Sequence, residues 1–192
     1  MTRLALLFAA LSLACAAPQN YTYWVQPCTD PASMCQPDDP QLAAWAFEAW
    51  QKASGGELQF TRVEDRERGR IRLYWASAEQ GMYGETRPMF FEGQIGAEVY
   101  VRPSPLRANG DRLLRDAIVY LTCLHETGHA LGLTHTAAFE DIMYNFQYGG
   151  DIQEYFGRYR RRLATRADIA KNSGMSAADR ARLIAISKTD RP

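Results

Sequence analysis

All three histidines of this chain fall in one segment, His125-Glu126-Thr127-Gly128-His129-Ala130-Leu131-Gly132-Leu133-Thr134-His135. That segment constrains the fold more than any other feature. Leu114, Ala117, Ile118, Leu121 and Leu124 recur at helical spacing and carry one face on to His125 and His129. Residues four apart on a helix lie one turn apart on the same side, so both imidazoles can reach one metal ion. A third ligand on that face at position 133 would block the open coordination site. Gly132 offers another route, because a left-handed residue lets the chain leave the helix and bring His135 back toward the ion. Three imidazoles with a fourth position left for water are the arrangement of a catalytic zinc site rather than a structural one.

Glu126 follows the first ligand and projects about 100° round the helix, which sets it beside the ion instead of on it. From there it can take a proton from a metal-activated water and hand it to a leaving amine. A lone histidine on an apolar helix is usually a core residue, but here five defined positions match and no histidine stands elsewhere. No imidazole remains for a second zinc site. Calcium stays open through carboxylate and carbonyl oxygens, although no loop has EF-hand spacing.

The pattern H-E-x-x-H-x-x-G-x-x-H resembles the zinc-binding consensus of the metzincin peptidases, which also carry a methionine turn downstream. Asp141-Ile142-Met143-Tyr144 supplies that turn. Thr136 after the last ligand, the interval from His135 to Met143 and the Met-Tyr pair are most similar to the matrixin (matrix metalloproteinase) branch. Astacin- and serralysin-like members place a tyrosine two residues after the methionine; Asn145 stands there, so no tyrosine ligand is expected. The resemblance implies an α+β zincin domain, a twisted mixed sheet with an active-site helix and a C-terminal helix. It implies a zinc endopeptidase with His125, His129 and His135 as metal ligands, Glu126 as general base and acid, and Met143 as an apolar floor. It further implies a polypeptide substrate lying antiparallel to an edge strand. Ala97, Val99, Tyr100 and Val101 form the candidate edge because they directly precede the active-site helix, with an interior strand as the alternative. Two departures bear on the site. Asn145-Phe146-Gln147-Tyr148 replaces the usual proline after the turn, and the stretch from Gly149 to Gly174 is longer than the family's link to its last helix.

Elsewhere the 192-residue chain reads as one domain, with strands at Tyr21–Gln26, Ile71–Trp75, Met89–Phe91 and Ala97–Arg102 and a short strand or turn at Leu58–Phe60. Asp39-Pro40 opens a helix that Gly55-Gly56 stops, and Ser176-Ala-Ala-Asp179 opens the last one as a capping box with Asp for Glu. The order β-α-β-β-β-α-α predicts a mixed sheet carrying helices. With 22 basic and 22 acidic side chains there is no concentrated basic surface, so no nucleic-acid partner is expected, and a monomer is. The balance hides an asymmetry: Cys15 to Gly150 holds 11 Lys/Arg and 17 Asp/Glu, Asp151 to Pro192 holds 10 and 5. Attraction between basic tail and acidic body is the simplest meaning, and Arg158 to Arg162 reads as a solvated helix face.

The first 16 residues read as a signal peptide, with Arg3 before an apolar run too short to span a bilayer. Two ends fit: cleavage before Ala17, or Ser12-Leu13-Ala14-Cys15 as a lipobox that leaves a lipid anchor on Cys15 as the only membrane attachment. The domain, residues 17–192, is therefore expected to be secreted or extracytoplasmic. In an oxidising compartment Cys28 and Cys35 are the natural disulfide, while Cys123 on its helical face reads as a small buried hydrophobe.

Overall fold

A computed structural model describes residues 17–77, 83–103 and 110–189; the signal segment and Cys15 lie outside them. The chain is a mixed α+β fold built on a five-stranded sheet. Strands β1 (Gln19–Val25), β2 (Leu58–Arg62), β3 (Ile71–Trp75), β4 (Gly84–Phe91) and β5 (Gln94–Val101) stand in the order β2-β1-β3-β5-β4. The first four in that order are parallel and β4 alone runs antiparallel, hairpinned onto β5 through Glu92 and Gly93 in positive φ. One face packs against α1 (Asp39–Ala53) and α2 (Arg112–Ala130). Tyr23, Val25, Ile71, Leu73, Trp75, Val99 and Val101 meet Leu42, Phe47, Trp50, Ile118, Leu121 and Leu124 in one core. The opposite face is half-buried, with Tyr74 stacked on Tyr100 and Arg72 beside them, as suits a sheet covered on one side.

The hairpin overturns one expectation. The segment of Ala97, Val99, Tyr100 and Val101 is interior, lying between β3 and β4, and the open edge belongs to β4. Chain order misleads here: β4 precedes β5, but an antiparallel hairpin folds it onto β5's outer side. β4 also starts at Gly84, earlier than the aromatic triplet Met89–Phe91 signals, because Glu85, Thr86 and Arg87 lack the apolar alternation of a half-buried strand.

Two further helices, α3 (Ile152–Arg160) and α4 (Ala177–Thr189), complete the described fold. α3 is amphipathic, burying Tyr155, Phe156 and Tyr159 and leaving Arg161 outside in an ion pair with Glu154. Ser176 and Asp179 cap α4 reciprocally: Asp179 N donates to Ser176 Oγ (2.9 Å) and Ser176 N to Asp179 Oδ2 (2.8 Å). Asp39 lies just inside α1, fully buried, where it accepts from Gln36 N and pairs with Arg115 of α2. Cys28 and Cys35 are joined by a disulfide with Cα atoms 5.4 Å apart, and Cys123 is buried. Among the described residues no helix is long and apolar enough to cross a membrane.

Candidate metal centre

α2 starts from the Asp111 side chain, which accepts from Leu114 N, and runs on to Ala130. Leu131 caps it, Gly132 turns with φ +89°, and Leu133 N returns to Gly128 O at 3.0 Å. This left-handed exit brings His135 back to the helix. Its Nε2 lies 3.2 Å from His125 Nε2 and 3.1 Å from His129 Nε2.

Their partners fix how two of these rings are protonated. His125 Nδ1 lies 2.7 Å from Ile142 O and His129 Nδ1 lies 2.8 Å from Leu133 O. A carbonyl can only accept, so each Nδ1 carries the proton and each Nε2 presents a lone pair. Burial lowers all three imidazole pKa values, His125 to about 3, despite the Ile142 carbonyl's opposing pull. Neutral imidazoles are what a metal requires. Ligand atoms at 2.0–2.1 Å on a tetrahedron stand about 3.3 Å apart, close to the spacing seen here. The donor set therefore fits a zinc-sized ion. Asn145 Nδ2 lies 3.1 Å from His135 Nδ1 while Asn145 Oδ1 holds Gln147 N. A cation on His135 Nε2 needs the proton on Nδ1, which an Asn145 amide turned over would accept.

Glu126 sits beside the rings, only 6% exposed. Thr86 Oγ1 lies 2.7 Å from Glu126 Oε2 and 2.8 Å from Glu126 O, tying the residue to β4. Desolvation raises its carboxyl to about 7, outweighing the Thr86 hydrogen bond; a dication on the imidazoles would pull it down again. Gly84 leaves room for it, since a Cβ there would stand 2.6 Å from Glu126 Cγ. Met143 is fully buried against α2, where a Cβ on Gly128 would meet its sulfur at 2.6 Å. Thr136 N donates to Met143 O and Asn145 N to Thr136 O, stitching this turn to the His135 loop.

The turn is also tied to the C-terminal elements. Asp179 Oδ2 accepts from Ile142 N at 2.8 Å, and Tyr155 OH donates to Asp141 O and Ile142 O. Asp141 accepts from Thr136, Ser176 and Arg182. One carbonyl, that of Ile142, thus serves both His125 and Tyr155. A cavity of about 920 Å³ runs past the three imidazoles and Glu126. Pro88, Ile95 and Ala97 of the sheet line it together with Leu121, Tyr155 and Phe156 of the helices. Tyr83 packs on Phe156 at 5.0 Å and Phe146 on Tyr155 at 5.1 Å, giving the cavity an aromatic wall.

The structure brings the Nε2 atoms of His125, His129 and His135 together, sets Glu126 in the same cavity, and ties the Met143 turn to the His135 loop through Thr136. Of the former edge candidates, Ala97 lines the cavity from an interior strand. Thr86, Gly84 and Tyr155 escaped the sequence reading, as did the bond of Asp179 to Ile142 N. An isolated glycine opening a strand was the one local hint; the other contacts are long-range. Groups of three or more metal-capable side chains among the described residues are this histidine trio and Cys28-Cys35-Asp39. The second is a disulfide beside a carboxylate committed to Arg115. No known family profile matches the sequence, and no curated protein matches it.

Proposed function

We propose that this chain is an exported zinc-dependent endopeptidase of the matrixin-like metzincin type. The observation that carries the reading is the convergence of three imidazole Nε2 atoms with a buried carboxylate held beside an open sheet edge. Zinc, when bound by His125, His129 and His135, supplies Lewis acidity that polarises the scissile carbonyl and acidifies water. Glu126 takes the proton of the attacking water on a carboxylate oxygen and returns it to the departing amine nitrogen. The Thr86 hydroxyl keeps the carboxylate aimed, and β4 offers main-chain hydrogen bonds to an extended peptide. The Cys28–Cys35 disulfide supports an oxidising, extracytoplasmic setting.

A surface-anchored binding module with a purely structural zinc would also use the imidazoles. It has no use for a desolvated carboxylate beside them. Glu126→Gln separates the two readings: zinc stoichiometry, read by atomic absorption, should be unchanged while peptide cleavage falls about 10²–10⁴-fold. Undiminished cleavage overturns the assigned role, and activity that survives exhaustive chelation overturns the metalloenzyme.

A further inference from the structure

The open edge continues past the imidazoles. Ala97 N donates to Arg70 O (3.0 Å) and Ala76 N to Val101 O (2.8 Å), so Ala97, Val99 and Val101 direct their backbone groups toward β3. Arg102 N donates to Tyr83 O (2.9 Å), so the alternate residues serve β4. The cross-hairpin partners of the first set, Pro88, Thr86 and Gly84, therefore turn their backbone groups to the open edge. Gly84 and Thr86, beside Glu126, offer both N–H and C=O. Pro88 offers only C=O. A peptide strand on β4 thus loses a donor just beyond the reacting groups.

Past that gap stand Phe90 and Ile95, 88% and 70% exposed. They are directly opposed across the hairpin, so their side chains share a face. Ile95 and Pro88 line the same cavity as His129 and Glu126, which makes this the cleft face. The apolar pair is therefore continuous with the proposed active site. It provides side-chain contact where the backbone ladder fails.

We propose that Phe90 and Ile95 form a distal recognition site for an apolar side chain of an extended polypeptide substrate. The inference rests on the peptidase reading above. Four residues separate Thr86 from Phe90, about 13 Å at roughly 3.3 Å per residue. β4 runs from Glu126 toward the hairpin tip, so an antiparallel ligand places this side chain about four residues to the N-terminal side of the cleaved bond.

The test compares wild type with Phe90→Ser/Ile95→Ser on a proteome-derived peptide library with zinc present. Wild type should enrich large apolar residues at the distal position, and the double variant should lose that enrichment alone. On a ten-residue library peptide with Phe at that position, kcat/KM should fall about tenfold, through KM. The same peptide truncated before that position should be cut equally by both proteins. Both side chains are solvent-exposed, so melting temperatures should match, and Phe90→Ser alone should give an intermediate effect. Equal profiles, or equal losses on long and truncated peptides, overturn the proposal. So does an unchanged profile accompanied by lost binding to phosphatidylglycerol vesicles or by conversion of a dimer to a monomer, which would assign the pair to a lipid surface or a second copy. Cleavage without distal preference removes this inference only, whereas absence of zinc-dependent cleavage by wild type removes the peptidase reading with it.

Discussion

At Gly84 a single methyl group decides where Glu126 can sit. A Cβ there would stand 2.7 Å from Glu126 Oε1, and the carboxylate is enclosed and held by Thr86, so it must move. Gly84→Ala should lower peptide cleavage by roughly 10²-fold, the scale of a 1 Å misplacement, with zinc content unchanged. Equal activity would show that the carboxylate has slack. Neither Gly84 nor Thr86 can be found by reading along the chain, because each meets Glu126 across some forty residues of sequence (|i−j| = 40 for Thr86). His125, Glu126, His129 and Gly132 were legible for the opposite reason. Their relation is set by helical pitch and one left-handed turn, both local properties of the backbone, whereas Met143 was signalled only by the resemblance of its turn to the metzincin pattern.

Among elements, α4 shows how a legible local signal conceals a long-range task. Ser176-Ala-Ala-Asp179 announces a helix start, and the helix starts there. The same Asp179 carboxylate also accepts from Ile142 N and pairs with Arg182, fully buried itself. Nothing nearby in sequence signals that second role. Replacing Asp179 by Ala should destabilise the domain by about 2–4 kcal/mol in urea titrations, the magnitude for a broken buried, hydrogen-bonded ion pair with one partly exposed member. A change within error would mean that the turn is held by Asp141 and Tyr155 alone. β4 and α3 were less legible. The first half of β4, Gly84 to Arg87, is polar and lacks apolar alternation, and the arginines of α3 drew attention away from its buried Tyr155, Phe156 and Tyr159. The edge was assigned to β5 because that strand directly precedes α2. For the Cys28–Cys35 loop, chain entropy alone predicts about 2.5 kcal/mol from the cross-link. Cys28→Ser/Cys35→Ser should show a loss of that size by denaturant titration, and none would mean the loop is already ordered by Asp30 and Ser33.

For the whole molecule, the charge asymmetry resolves into contacts. Arg160 pairs with Asp111, Arg166 with Asp116 and Asp38, and Arg182 with Asp141, so the basic tail is fastened to the acidic body. Burial pushes the Asp141 carboxyl upward, but hydrogen bonds from Ser176, Thr136 and Arg182 outweigh it and hold the group below its ordinary value. A carboxyl depressed in the fold contributes stability that is complete above its unfolded pKa, near 3.9, and is lost as pH falls through the folded value. Acid unfolding should therefore steepen below about pH 4, and Asp141→Asn should flatten the profile in that window. An identical profile would assign the acid response elsewhere. Zinc should raise stability by mass action, about 2.7 kcal/mol at a hundredfold excess over its Kd, so a chelator should lower the melting temperature and added zinc restore it. A melting curve indifferent to both would count against an ion shared between α2 and the His135 loop.

The missing N–H at Pro88 has a bearing on solubility as well. An exposed strand with every donor in place is a template on which neighbouring molecules can add in register, and this one carries bare Phe90 near its end, opposite the equally bare Ile95 of β5. The proline interrupts that template midway along β4, leaving the rim available to a short visiting chain while frustrating growth into a fibril.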